Sequence, residues 1–463
     1  MSSTSSYECA ICLHRYQSPT LIPTCGHTFC ASCVASLPTD RLRSTASCPL
    51  CRNRFDVRAC VPNYALAAAL ESEAHGEPAS PRPSAPPLET MQFTTHAPNV
   101  PRASQSSAVQ RLRSLGFPAG LARLVTDADS RVGLRLFILD NSGSTGEMDG
   151  NKLTAEYGTL KMKACSRWDE IKAMAVLQAR VAVAVGVPAE FHLLNPLGGN
   201  RSSSLSEGDG FVRVHDEESF SRFNSMLAAS SPRGVTPLAD SLRGIRRRLD
   251  AETERLRGKQ VFLTIATDGL PTSATSGHSD VRARDDMVSE LRALSVHFGV
   301  QLVIRLCTDD NDVVDFFGKL DAETELSMDV LDDFKSEAQE VRRCGNGWLT
   351  YAPAVHTVRE GGTCIKLLDL LDERALNVHE TAALVELLFG VDASTGVDVP
   401  LALDYTSDLG AYCDEVKRRA DLLGTYYNPL SGRCEPLVNV GALRKALTPR
   451  GVLGKAFGYL FGM

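Results

Sequence analysis

The chain has 463 residues, room for two or three domains. Its 43% hydrophobic and 23% charged residues, with a formal net charge of −7, fit a globular protein and give no support to bulk nucleic-acid binding. No apolar run approaches the ~20 residues of a membrane span, and the polar start "MSSTSSYECA" lacks the apolar centre of a secretory signal, so a cytoplasmic or nuclear location is expected.

The charge is uneven. Residues 1–70 hold six arginines against Glu8, Asp40 and Asp56, a balance of +3, which leaves −10 for the rest. A basic head on an acidic body suits docking on an acidic protein surface. Seven of the 14 cysteines fall between Cys9 and Cys51, and the other seven are scattered singly.

The clustered cysteines have metal-ligand spacing. The order is Cys9-x2-Cys12, Cys25-x-His27-x2-Cys30-x2-Cys33 and Cys48-x2-Cys51. Eight ligands are enough for two tetrahedral Zn²⁺ sites, and metal supplies folding energy that so short a segment cannot draw from an apolar core.

This pattern resembles the RING finger family over residues 7–56. The resemblance implies interleaved ligands: Cys9, Cys12, Cys30 and Cys33 on one zinc, and Cys25, His27, Cys48 and Cys51 on the other. It also implies a RING-type ubiquitin-protein ligase whose partners are a ubiquitin-conjugating enzyme and ubiquitin. The expected docking patch is Ile11, Leu37, Pro49 and Leu50, with Leu37 where the family more often has Trp. Arg52, directly after the last ligand, is the expected linchpin that holds ubiquitin in a reactive pose, so that acceleration comes from positioning. A planar guanidinium with five donors suits such a bridge.

"VPNYALAAALESEA" reads as a supporting helix that completes a head spanning 7–70. Residues 71–107 are Pro-rich, with seven prolines between Pro78 and Pro101, and read as a disordered linker. "VQRLRSLGFPAGLARLV" (109–125) reads as one amphipathic helix on the body.

From there strands and helices alternate. "LRLFILD" (134–140), "EFHLLN" (190–195), "KQVFLTIATDG" (259–269) and "VQLVIRLCTD" read as buried strands. "RWDEIKAMAVLQARVAVAV" (167–185), "TPLADSLRGIRRRLDAETERL" (236–256) and "DMVSELRALSVHFG" read as helices. Such alternation predicts a doubly wound, Rossmann-like α/β domain with a mainly parallel sheet over 108–358. Its sites should lie at the carboxyl ends of strands.

Three segments put oxygens there: "DNSGS" with Asp140, Ser142 and Ser144, "RGVTPLADSL" with Thr236, and "IATDGLPT" with Asp268. Five hard oxygen donors describe a Mg²⁺ or Mn²⁺ site. The set resembles the von Willebrand factor A domain with its metal-ion-dependent adhesion site. That resemblance implies recruitment of a protein substrate or partner through an acidic residue on the metal.

Between "DNSGS" and Arg167 about twenty residues intervene, and a β-hairpin is expected near 145–166, standing beside the metal face. The four-arginine run "RGIRRRLD" (243–250) reads as a solvated helix face. Residues 359–463 read as a helical C-terminal region, either a separate module or packed on the preceding domain. A non-enzymatic adaptor, with the zinc head used for assembly, stands as the alternative function.

Overall fold

A computed structural model divides the chain into two units, Met1–Thr95 and His96–Met463. It describes residues 9, 11–12, 16–22, 28–37, 45–49 and 54–62 of the first, and 102–156, 159–197, 210–323, 326 and 328–448 of the second.

In the first unit, β1 (Pro19–Leu21) pairs antiparallel with β2 (Thr28–Cys30), which runs into the short helix α1 (Ala31–Ala35). β3 (Thr45–Ser47) pairs with β4 (Arg54–Asp56), and β5 (Val61–Pro62) joins β1. Among the described residues the unit's buried core is Cys9, Ile22, Phe29, Cys30, Val34, Ala46, Cys48 and Phe55, three of them cysteines. A segment this short cannot offset the chain entropy of folding by apolar burial without a cross-link. The supporting helix expected from Pro62 onward lies outside the described residues.

In the second unit the helix expected at 109–125 is two, α2 (Arg102–Ser114) and α3 (Ala119–Asp129). The break is Gly116-Phe117-Pro118: Gly116 has φ +91, and Pro118 can precede a helix but not continue one. α2 begins inside the segment expected to be linker.

The six-stranded sheet follows. Its strands are β6 (Val132–Leu139), β9 (Ala189–Leu193), β10 (Phe211–Val214), β11 (Gln260–Thr267), β12 (Gln301–Leu306) and β13 (Met328–Leu331). The order is β10-β9-β6-β11-β12-β13, all parallel except the β10 edge. Alternate residues of β6 face opposite ways. Leu134, Leu136 and Ile138 pack with α6 (Leu238–Leu256), α7 (Val281–Phe298) and α8 (Asn311–Glu323). Phe137 and Leu139 pack with α4 (Arg167–Val185) and α5 (Glu217–Ala229). From β6 the chain winds first toward β9 and later toward β11, so the winding reverses between β6 and β11. The crevice at the carboxyl ends of these two strands is where ligands bind in such sheets.

Between β6 and α4 stands an antiparallel hairpin, β7 (Gly150–Glu156) and β8 (Thr159–Cys165). It is not free-standing: Leu153, Leu160 and Met162 pack against a third core. That core joins α2, α3 and the far end of α4 to the C-terminal helices α9 (Phe334–Val341), α10 (Pro353–Glu360), α11 (Lys366–Glu373), α12 (Val378–Phe389), α13 (Leu409–Leu423) and α14 (Val440–Leu447). A small pair, β14 (Thr425–Asn428) and β15 (Arg433–Pro436), interrupts this helical region.

The boundary expected at 358/359 falls inside α10. Glu360 at its end takes a hydrogen bond from Thr264 of β11 at 2.7 Å and an ion pair from Arg305 of β12 at 3.0 Å, so α10 belongs to the sheet as much as to the helices.

Candidate functional site

Cys9 and Cys12 lie in the segment before β1, Cys30 ends β2, and Cys33 lies on α1. The strand-to-helix junction therefore supplies one Cys-x2-Cys pair and the leading segment the other. Their four Sγ atoms lie within 4.8 Å of one another, and Cys12 Sγ is 3.9 Å from Cys30 Sγ. Sulfurs tetrahedral around zinc at about 2.3 Å stand about 3.8 Å apart, so the cluster has the size of a zinc site.

Its electrostatics fit a metal too. The Gln17 amide donates to Cys30 Sγ at 3.2 Å and the Cys30 amide to Cys9 Sγ at 3.4 Å. Burial raises Cys9, but the amides of Cys12, Cys30 and Ile11 outweigh it and bring the thiol to about 6. Burial and the thiols of Cys12 and Cys9 push Cys33 up to about 12. The cluster ionises once with ease and resists full ionisation without a cation. Bound zinc would supply that charge and cross-link the two knuckles.

The expected second set is represented by Cys48, buried after β3; Cys25, His27 and Cys51 lie outside the described residues. Of the expected docking residues, Ile11 and Leu37 pack half-buried against the small core, and Pro49 is exposed. Leu50 and Arg52 lie outside the described residues.

In the second unit, the oxygen-bearing segments meet at the reversal point of the sheet. Asp140 directly follows β6 and is fully buried. Its Oδ1 accepts from the Ser142 amide at 2.9 Å and its Oδ2 from Thr267 Oγ1 at 2.6 Å. Ser142 Oγ and Ser144 Oγ are 3.1 Å apart, and Ser144 Oγ donates to Asp268 Oδ1 at 2.9 Å. Thr236, buried just before α6, lies against Asp268-Gly269: a Cβ on Gly269 would sit 3.7 Å from Thr236 Oγ1.

Burial and the charge of Asp268 raise Asp140 to about 6. Burial also raises Asp268, against the pull of Arg167 and Ser144. Two facing carboxylates with hydroxyls between them are a donor set that a small, hard divalent cation would take.

Several residues that build this place have no motif. Asn141 and Asn195 clasp each other, with Asn141 Nδ2 donating to the Asn195 carbonyl at 2.9 Å and the Asn195 amide to Asn141 Oδ1 at 2.8 Å. Asn195 Nδ2 then donates to the Val235 carbonyl at 2.9 Å, beside Thr236. Thr272 Oγ1 accepts from the Thr236 amide at 2.9 Å. Arg167 reaches Asp268 Oδ2 at 3.0 Å and Asp149 Oδ2 at 2.6 Å. A sequence signal for Arg167 exists: it puts a cation at a helix N-terminus, where the dipole disfavours one.

The arginine run at 243–250 is not a plain solvated face. Arg243 and Arg246 pair with Glu290 of α7 at 3.0 and 2.8 Å, and Arg248 with the buried Glu190 of β9 at 2.6 Å. These cations are committed to interior partners. No helix among the described residues is long and apolar enough to cross a membrane.

Residues 9–49 match the RING-type zinc-finger family. The N-terminal unit thus carries a RING-type zinc finger, with its first four-cysteine site assembled from ligand pairs distant in the chain. The RING finger protein nhl-1 of Caenorhabditis elegans is 42% identical over 77 residues, 16% of this chain and 8% of that protein. The human E3 ubiquitin-protein ligase RNF166 is 46% identical over 52 residues, 11% of this chain and 21% of that protein. The mouse E3 ubiquitin-protein ligase TRIM68 is 38% identical over 67 residues, 14% of each chain. The matched part is under a quarter of each of these relatives.

Proposed function

We propose that the protein is a RING-type E3 ubiquitin-protein ligase that activates a ubiquitin-conjugating enzyme and recruits its target through the second unit. The observation that carries the ligase reading is the pairing of Cys9 and Cys12 with Cys30 and Cys33 around one point. That pairing of the first and third ligand pairs is what the cross-brace of a RING requires, and several relatives of this segment are named ubiquitin ligases. Zinc is structural here, and a conjugating enzyme supplies the reactive thioester. Ile11, Leu37, Pro49 and Leu50 form the docking patch, and Arg52 bridges conjugating enzyme and ubiquitin. The protein works in the cytoplasm or nucleus, where ubiquitin is.

The second unit acts as a von Willebrand A-type receptor. Asp140, Ser142, Ser144, Thr236 and Asp268 hold Mg²⁺ or Mn²⁺, and an acidic residue of the target completes the coordination. The shared location of these oxygens, where the sheet's winding reverses, supports this reading.

The test is reconstitution with ubiquitin-activating enzyme, ubiquitin and a panel of conjugating enzymes. Wild type should build ubiquitin chains on itself, and Ile11→Ala and Arg52→Ala should cut the rate at least about tenfold. Absence of chains with every conjugating enzyme would favour the adaptor function instead. Target recruitment is checked by pull-down in Mg²⁺ against chelator, with Asp140→Ala as the control.

A further inference from the structure

Arg167 is the first residue of α4, where Ser166 caps the helix by accepting from the Asp169 amide at 3.1 Å. A cation here opposes the helix dipole, so helix stability does not account for it. Its side chain is only 14% exposed and is gripped from two sides. Nε and Nη2 take both oxygens of Asp149 at 2.7 and 2.6 Å, and Nη1 takes Asp268 Oδ2 at 3.0 Å. Asp268 Oδ1 already accepts from Ser144.

Arg167 also closes the foot of the hairpin. Its amide donates to the Glu147 carbonyl at 3.0 Å, and Gly150 pairs with Cys165. A Cβ on Gly150 would come within 3.0 Å of Arg167 Cα, so the hairpin root lies directly on this residue. Asp149, which holds the guanidinium from the hairpin side, is part of the same foot.

The charges count to a definite shortfall. Asp149 and Asp268 share the one guanidinium, and Asp140 feels the charge of Asp268. Three carboxylates against one cation leave two negative charges, the charge of one divalent cation. A cation between Asp140 and Asp268 would draw on the carboxylate that Arg167 uses, and would repel the guanidinium toward Asp149.

We propose that Arg167 is a resident cation that competes with the divalent ion for Asp268 and couples occupancy of that site to the foot of the β7–β8 hairpin. This rests on the divalent-site reading of Asp140 and Asp268 given above. In the metal-free state the guanidinium is shared and ties the hairpin root to Asp268. In the metal-bound state Arg167 is held by Asp149 alone.

The test is calorimetric titration of Mn²⁺ into the full chain. Asp140→Ala should abolish binding. Arg167→Gln should tighten it by about tenfold or more, because a like charge leaves the site. Asp149→Asn should weaken it, because Arg167 then rests on Asp268 alone. Hydrogen exchange of amides 150–156 and 159–165 should change on adding Mn²⁺ to wild type and not to Arg167→Gln. If Arg167→Gln unfolds, Arg167→Lys serves, with affinity expected between wild type and tenfold tighter. Arg167→Gln or Arg167→Lys binding no tighter than wild type, while Asp140→Ala abolishes binding, overturns the competition and leaves Arg167 a strut. Absence of Mn²⁺ binding to wild type and Arg167→Gln alike removes the divalent-site reading and this proposal with it.

Discussion

Ser144 Oγ donates to Asp268 Oδ1 at 2.9 Å across 124 residues of sequence. The two positions differ in one respect that separates binding from folding: Ser144 is exposed, whereas Asp140 and Asp268 are buried. Ser144→Ala removes one donor oxygen at the surface and should cost under about 1 kcal/mol of stability, yet should weaken Mn²⁺ binding severely. Asp140→Ala leaves the buried Ser142 amide without its acceptor. It should cost about 1–3 kcal/mol in chelator when measured below pH 6, where the buried carboxyl is neutral and its loss relieves no charge. Urea unfolding of both variants beside the Mn²⁺ titration checks this. A Ser144→Ala variant that binds Mn²⁺ like wild type would remove Ser144 from the ligand set.

Gly234 positions Thr236 through backbone shape. Its φ is +76, and a Cβ there would meet Asn195 Oδ1 at 2.5 Å. Gly234→Ala should therefore cost roughly 1–2 kcal/mol from the left-handed conformation alone, and more from displacing the Asn195 side chain, whose Nδ2 holds the Val235 carbonyl. Gly258, with φ +72 and nothing near its Cβ, is the comparison. Gly258→Ala carries the conformational cost without the clash. Equal losses in the two variants would show that the Asn195 side chain's hold on the Val235 carbonyl contributes nothing.

The strands and the oxygen-bearing loops were legible because each leaves a local trace. β6 and β11 are apolar runs of strand length, and Asp140 and Asp268 follow them directly. The divided helix at 102–129 was less legible, since Gly116-Phe117-Pro118 sits inside one continuous apolar period. Arg167 and Asp149 were invisible as a pair. Their partnership depends on the hairpin folding back so that residue 149 meets 167, and no periodicity encodes that. The union of α2 and α3 with the C-terminal helices was hidden for the same reason, because it is made by contacts between segments far apart in the sequence.

Both tryptophans, Trp168 and Trp348, lie in the second unit. Zinc removal should therefore unfold the first unit with tryptophan fluorescence unchanged. A strong chelator should release zinc and expose amides 28–37 to exchange, and Cys30→Ser should do the same without chelator. The core around Phe29 and Val34 belongs to a segment too short to hold its fold by apolar burial alone. Retained protection of 28–37 in metal-free protein would contradict this.

Arg359 of α10 is wholly buried and is the cation of an acid-rich cluster. It pairs with Glu337 Oε2 at 2.5 Å, Asp372 Oδ2 at 2.8 Å and Asp329 Oδ2 at 3.6 Å. Burial raises Glu337 to about 8, the charges of Asp372 and Asp329 add to that, and Arg359 opposes it. Burial likewise raises Asp329 to about 6. A carboxyl whose folded pKa exceeds its unfolded value favours folding while it is protonated. That contribution is complete below the unfolded value of 4.5 and is lost as pH rises through about 8. The second unit should therefore lose on the order of 1–3 kcal/mol between pH 5.5 and 8.5. Trp348 sits in the helical core that α10 helps to build, so its fluorescence reports the transition. Glu337→Gln keeps an acceptor for Arg359 and removes the titration. It should reduce the slope, leaving the part that the raised Asp329 and Asp369 contribute, and raise the melting temperature at pH 8.5. A wild-type melting temperature that is level or rising across this window, or a Gln variant that keeps the full slope, would mean that Arg359 holds Glu337 ionised throughout.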